Sequence, residues 1–247
     1  MKIGAQFYTV REFCKNTDDF AQTLARIADI GYTTVQISGT CAYDAAWLKE
    51  ELDKNGLQCV LTHIPAQRLI EETEKVAKEH DVFGCKYVGL GSFAYKDGKT
   101  PQEFAETYRS VADSLRQNGK YFMYHNHAAE FRKIDGKPIF EHMAEMFPAD
   151  SLGFTLDTYW IQTAGADPAS WIEHFAGRVP CIHLKDHSYD RKVAPIGEGN
   201  INFDRVFAAG QKAGTEYMLV EQDDCNGEDP FDCLKRSYEF LRSRGFE

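Results

Sequence analysis

Eight short apolar runs recur along the 247 residues, with an amphipathic stretch after each. The runs are Ile3–Tyr8, Thr34–Ser38, Gln58–His63, Tyr87–Gly91, Tyr121–His125, Leu152–Asp157, Pro180–Lys185 and Tyr217–Glu221. Their β-branched and aromatic content and their shortness are those of buried strands. The stretches between them, among them Asp18–Ile30, Ala45–Asn55, Glu71–His80, Glu103–Gln117 and Phe231–Arg242, space their apolar residues for one helix face. Thr100-Pro101 and Asp167-Pro168 have the form of a cap followed by a first-turn proline, while Gly31, Gly56, Gly84 and Gly119 mark helix ends. Eight strand–helix units of roughly 30 residues, with no linker between them, predict an α/β fold: a (β/α)8 TIM barrel, one domain over residues 1–247. No GxGxxG opens the first unit, which weighs against a dinucleotide-binding sheet.

A barrel of this kind gathers the C-terminal ends of all its strands on one face, where active sites lie. In this chain those ends are polar. They bring Gln6 and Tyr8, Gln36, His63, Ser92, His125-Asn126-His127, Asp157, His183 with Lys185, and Glu221. Carboxylates mixed with imidazoles suit Mn²⁺, Mg²⁺, Co²⁺ or Zn²⁺. None of the seven cysteines (14, 41, 59, 85, 181, 225, 233) stands at a strand end and none forms a CxxC pair, so a thiolate zinc site is not expected. A net charge of −10 argues against a nucleic-acid surface. No apolar stretch is long enough for a signal peptide or membrane span, and a cytoplasmic protein with reduced thiols is expected.

Three segments carry a family resemblance: LGFTLDTYW (152–160), VPCIHLKD (179–186) with IGEGNINF (196–203), and VEQD (220–223). Through them the chain resembles the xylose isomerase-like TIM barrels, the sugar phosphate isomerase/epimerase superfamily that also includes endonuclease IV. HNHAAEF (125–131) resembles a subgroup of keto-sugar-modifying members. The resemblance implies one divalent ion held by Asp157, His183 and Glu221. Where the family has a fourth ligand, a glutamate at the end of the fifth strand, this chain has His125, so the expected fourth ligand is the nearest carboxylate, Glu130. The competing assignment gives that place to His125 itself.

The activity implied is that of a sugar isomerase or epimerase that removes a proton α to a carbonyl, with Glu221 as one acid/base and His125, His127 or Glu130 as the other. The same intermediate can instead expel a β-hydroxyl, which keeps a lyase or dehydratase on a 3-keto-sugar or inosose as the alternative. Lys185 is expected among the catalytic and substrate-contacting groups, and Tyr8, His63, His127 and Trp160 around a small sugar or keto-sugar. Asp186 is expected behind a ligand histidine. His80, His142 and His174 fall in helical stretches and read as structural or surface residues. The extra ligands of a three-zinc nuclease are missing, since Trp160, Arg191 and Val193 stand in their places. No glycine-rich phosphate cradle is evident, which favours unphosphorylated substrates. A metal-free carbohydrate-binding barrel remains a remote alternative, and a homo-oligomer is left open.

Overall fold

The computed structural model describes all residues from Met1 to Glu247. Eight parallel strands close into a barrel: β1 (Lys2–Gln6), β2 (Thr34–Ile37), β3 (Gln58–His63), β4 (Tyr87–Leu90), β5 (Tyr121–His125), β6 (Leu152–Asp157), β7 (Cys181–Leu184) and β8 (Tyr217–Val220). Each pairs with its sequence neighbours, and β8 pairs with β1 to complete the ring, Lys2 facing Tyr217 and Ala5 facing Val220. The expected (β/α)8 barrel is the observed one. A helix follows each strand: α1 (Thr17–Ile30), α2 (Ala45–Lys54), α3 (Thr73–Val82), α4 (Pro101–Gln117), α5 (Ile139–Met146), α6 (Pro168–His174), α7 (Phe203–Ala213) and α8 (Pro230–Ser243). None is long and apolar enough to cross a membrane.

Two apolar layers follow from the two faces of each strand. Outward residues pack with the helices into one cluster of 57 buried side chains, which joins every unit into a single domain. Inward residues form a smaller cluster of Val60, Leu61, Tyr87, Met123, Cys181 and Leu219, with Tyr121 and Tyr217 against it. The barrel interior is therefore filled rather than open, and above this plug its lining turns polar. Gly89 belongs to that transition: a Cβ there would lie 2.5 Å from the Thr62 carbonyl and 2.9 Å from the His63 ring, so the glycine makes room for that imidazole.

Several boundaries differ from expectation for local reasons. β1 stops at Gln6 because the Gln6 side chain accepts the Tyr8 N–H at 2.5 Å and caps a 3₁₀ helix over Phe7–Phe13. The stretch expected as one helix over Glu71–His80 divides into Ala66–Glu71 and α3, because Glu72 takes φ −128° between them. His80 is structural as expected but fully internal, with its ring bonded to the Thr62 hydroxyl and the Val76 carbonyl.

Candidate active site

His125 and Asp157 are the last residues of β5 and β6, His183 lies inside β7, and Glu221 directly follows β8. Parallel register sets Asp157 beside His183, and His183 beside Leu219, two residues before Glu221. One ligand atom from each of the four falls within 4.8 Å of all the others. All four side chains are buried, none more than 4% exposed.

Each of these groups is fixed from behind. His125 Nδ1 bonds to the Gly91 carbonyl at 3.0 Å, and His183 Nε2 bonds to Gln36 Oε1 at 2.6 Å. A neutral ring that donates to its outer acceptor carries its lone pair on His125 Nε2 or His183 Nδ1, inside the cluster, whereas a protonated His125 donates Nε2–H to Asp157 Oδ2. Asp157 Oδ1 accepts the Trp160 N–H at 3.0 Å while capping the short helix Thr158–Thr163, and Glu221 Oε1 accepts from Gln6 Nε2 at 2.6 Å. Their other oxygens face inward. Asp157 Oδ2 is 3.1 Å from His125 Nε2, and Glu221 Oε2 is 2.9 Å from His183 Nδ1. His183 Nδ1 and Glu221 Oε2 have no well-directed hydrogen bond. Buried lone pairs aimed at buried carboxylate oxygens are costly unless a cation lies among them. Two imidazole nitrogens and two carboxylate oxygens suit a divalent ion.

Lys185 enters the same cluster. Its ammonium is 3.2 Å from Asp157 Oδ2, 3.1 Å from Glu221 Oε2 and 2.7 Å from Asp223 Oδ2. Burial would lower its pKa, but the three carboxylates outweigh burial and hold it well above the usual lysine range. Three carboxylates thus surround one ammonium, and burial with the nearby Glu221 raises Asp223 above the usual carboxylate range. Burial opposes ionisation of Asp157 and Glu221 too, yet Lys185, with His125 for Asp157 and His183 for Glu221, keeps both below the usual carboxylate range. Burial alone would depress His125, but its bond to Asp157 and the nearby carboxylates carry it upward; His183 stays low, with burial outweighing Glu221.

Above the cluster opens a cavity of about 580 Å³, bordered by His63, His127, Trp160 and Lys185 and floored by His125 and Glu221. His63 sits on the β3 side with Ser38 Oγ 3.2 Å from its Nδ1. Burial, then His125, pushes His127 down to about 3, and burial likewise drives His63 well below its ordinary value. Both imidazoles are neutral at neutral pH. The Trp160 ring is tilted against His127 with centroids 5.2 Å apart, and its buried indole N–H has no protein partner. Tyr8, 39% exposed, forms the rim under the Arg11 guanidinium, 4.2 Å from its ring.

The geometry places two of the expected residues outside the cluster. Glu130 is not brought into the cluster. It lies on the 3₁₀ turn Ala128–Phe131, where Oε1 accepts the Tyr124 hydroxyl at 2.5 Å and Oε2 accepts the His127 N–H at 2.8 Å. Burial, opposed by those bonds, raises its pKa to about 7. Asp186 does not back a histidine either. Its carboxylate accepts the N–H groups of His187, Gly197, Gly199 and Ile201 at 2.8–3.1 Å and so fastens the IGEG turn. Asp223 and Arg11 were not singled out from sequence. The signal for Asp223 was its place two residues after Glu221 in VEQD, just beyond the end of β8.

Comparison with known proteins bears on this geometry. Residues 24–244 match the sequence model described as xylose isomerase-like TIM barrel. A curated relative, inosose dehydratase of Geobacillus kaustophilus (strain HTA426), is 23% identical over 195 residues, which is 68% of this chain and 62% of that protein's length. A sugar phosphate isomerase/epimerase structure from Parabacteroides distasonis superposes with a TM-score of 0.83 at 23% identity, covering 98% of this chain and 93% of that one. A probable 3-DHS dehydratase from Bacillus anthracis superposes at 0.75 with 17% identity, covering 99% and 100%. At these identities the structural likeness shows the fold.

Proposed function

Since this chain belongs to the xylose isomerase-like TIM barrel family, we propose that it is a divalent-metal-dependent sugar isomerase or epimerase acting on an unphosphorylated ketose or keto-sugar. The observation that carries this reading is the inward aim of His125 Nε2, Asp157 Oδ2, His183 Nδ1 and Glu221 Oε2, with their outer atoms held by Gly91, Trp160, Gln36 and Gln6. His125 thus takes the fourth ligand position expected of Glu130. A divalent ion held there would polarise a substrate carbonyl and stabilise the negative charge that develops on its oxygen.

The remaining chemistry falls to the chain's own groups. Glu221 reaches the cavity floor and takes the proton α to the carbonyl. Lys185 supplies positive charge beside the developing oxyanion. His63 and His127, neutral and on the cavity wall, exchange a proton with the far side of the substrate. Trp160 covers the sugar, and its free indole N–H is available to a hydroxyl. Tyr8 closes the rim. The seven free cysteines suit a cytoplasmic setting.

One observation favours a second reading, a dehydratase or lyase on a 3-keto-sugar or inosose. Of the two carboxylates in the ligand set only Glu221 lines the cavity; the other carboxylate there, Asp223, is paired with the Lys185 ammonium, and the remaining proton carriers are imidazoles. Elimination needs one base and one acid for the departing hydroxyl, and a neutral imidazole N–H can serve as that acid. Incubating ketoses, 3-keto-sugars and inososes in D₂O separates the two readings by NMR. Deuterium in recovered or isomerised sugar supports the first reading, and loss of water supports the second. Turnover with neither would reject proton abstraction.

A further inference from the structure

Lys185 is 1% exposed, yet its ammonium touches the two oxygens that the ligand set turns inward, Asp157 Oδ2 and Glu221 Oε2. Its third contact, Asp223 Oδ2, lies outside the ligand set, at the cavity rim, on a side chain 29% exposed. The backbone of Lys185 cannot follow a displaced head group. Its N–H donates to Thr158 Oγ1 at 2.9 Å, and the Thr158 hydroxyl donates to its carbonyl at 2.7 Å. The side chain borders the cavity, where the Trp160 ring centroid is 5.6 Å from Nζ.

We propose that Lys185 is a resident cation of this site: it occupies the inner oxygens of Asp157 and Glu221 until a divalent ion takes them, and is then held by Asp223 at the cavity wall. Two cations bound to the same two oxygens repel each other, and the charge nearer the carboxylates prevails. The ammonium keeps the buried carboxylates compensated before metal enters, which avoids the cost of unpaired internal charge. Asp223 then decides where the ammonium rests. Once shifted, Lys185 presents its N–H groups to a bound substrate from the cavity wall instead of spending all of them on the protein. The inference rests on the metal-site reading above and adds an order of events to it.

The two partners in this exchange should move metal affinity in opposite directions. Lys185→Met removes the competitor and should tighten Mn²⁺ binding at least tenfold in titration calorimetry on the full chain. Asp223→Asn removes the alternative berth, leaves the ammonium on the ligand oxygens, and should weaken Mn²⁺ binding several-fold. A scaffolding role for Lys185 and Asp223 would weaken binding in both variants, and that result overturns the proposal. If Lys185→Met does not fold without metal, Lys185→Gln takes its place in the titration, and binding no tighter than that of wild type rejects the exchange. Wild-type protein that binds neither Mn²⁺ nor Zn²⁺ would instead sink the metal-site reading itself, a different outcome from binding that Lys185→Met fails to tighten.

Discussion

Glu130→Gln tests how a carboxylate next to the site is used. Glu130 is 1% exposed, and its two oxygens are taken by the Tyr124 hydroxyl and the His127 N–H. Folding raises its pKa from 4.5 to about 7, with burial as the leading cause. A carboxylate raised on folding stabilises the native state while protonated, so its contribution is complete below the unfolded value and lost as pH rises through about 7. At about 1.4 kcal/mol for each pH unit of difference, the loss is about 3 kcal/mol. Glutamine cannot ionise, and its amide can still accept from His127 and donate to the Tyr124 oxygen. Urea unfolding of both proteins from below pH 4.5 to above pH 7 should therefore show wild type losing about 3 kcal/mol relative to Glu130→Gln. Taking the difference between the two proteins cancels every other titrating group. Parallel stability curves would refute the argument. Metal analysis gives a second check: occupancy should be unchanged in Glu130→Gln, and a joint loss of metal and activity would return Glu130 to the ligand set in place of His125.

Three further outcomes follow. Gln36→Leu removes the acceptor that fixes the His183 ring proton, so Mn²⁺ affinity in equilibrium dialysis should fall about 10–100-fold; an unchanged affinity would show that Gln36 does not set the tautomer. His63→Ala and His127→Ala should each retain metal while kcat drops about 10²–10⁴-fold, if the ring transfers a proton. Metal loss parallel to activity would make the residue a ligand. Asp186→Ala leaves four backbone N–H groups without their carboxylate, and should cost at least about 3 kcal/mol in chemical denaturation and open residues 196–201 to proteolysis. A turn that stays protected would show that Gly197 and Gly199 hold it unaided.

The amino-acid sequence by itself determined the eightfold alternation, hence the barrel, and the polarity of the strand ends. β3, β5 and β6 begin and end where the pattern places them, because a buried strand has period two and a short length bounded by turn residues. Asp157, His183 and Glu221 were legible for the same reason: a parallel register carries residues at the ends of neighbouring strands to one rim. Only the tertiary structure set His125 apart from Glu130, bringing the first into the cluster and not the second. His125 ends a strand, and the Gly91 carbonyl from the neighbouring unit aims its ring inward. Glu130 lies five residues on, in a 3₁₀ turn that rolls its carboxylate back to Tyr124. Asp186 and Lys185 differ in the same way, since Asp186 turns to the backbone of 197–201 and Lys185 reaches carboxylates on two other strands' ends. A strand fixes its side-chain directions through local geometry. A residue beyond the strand, or one with a long flexible side chain, takes its direction from partners distant in sequence, and those exist only once the barrel has closed.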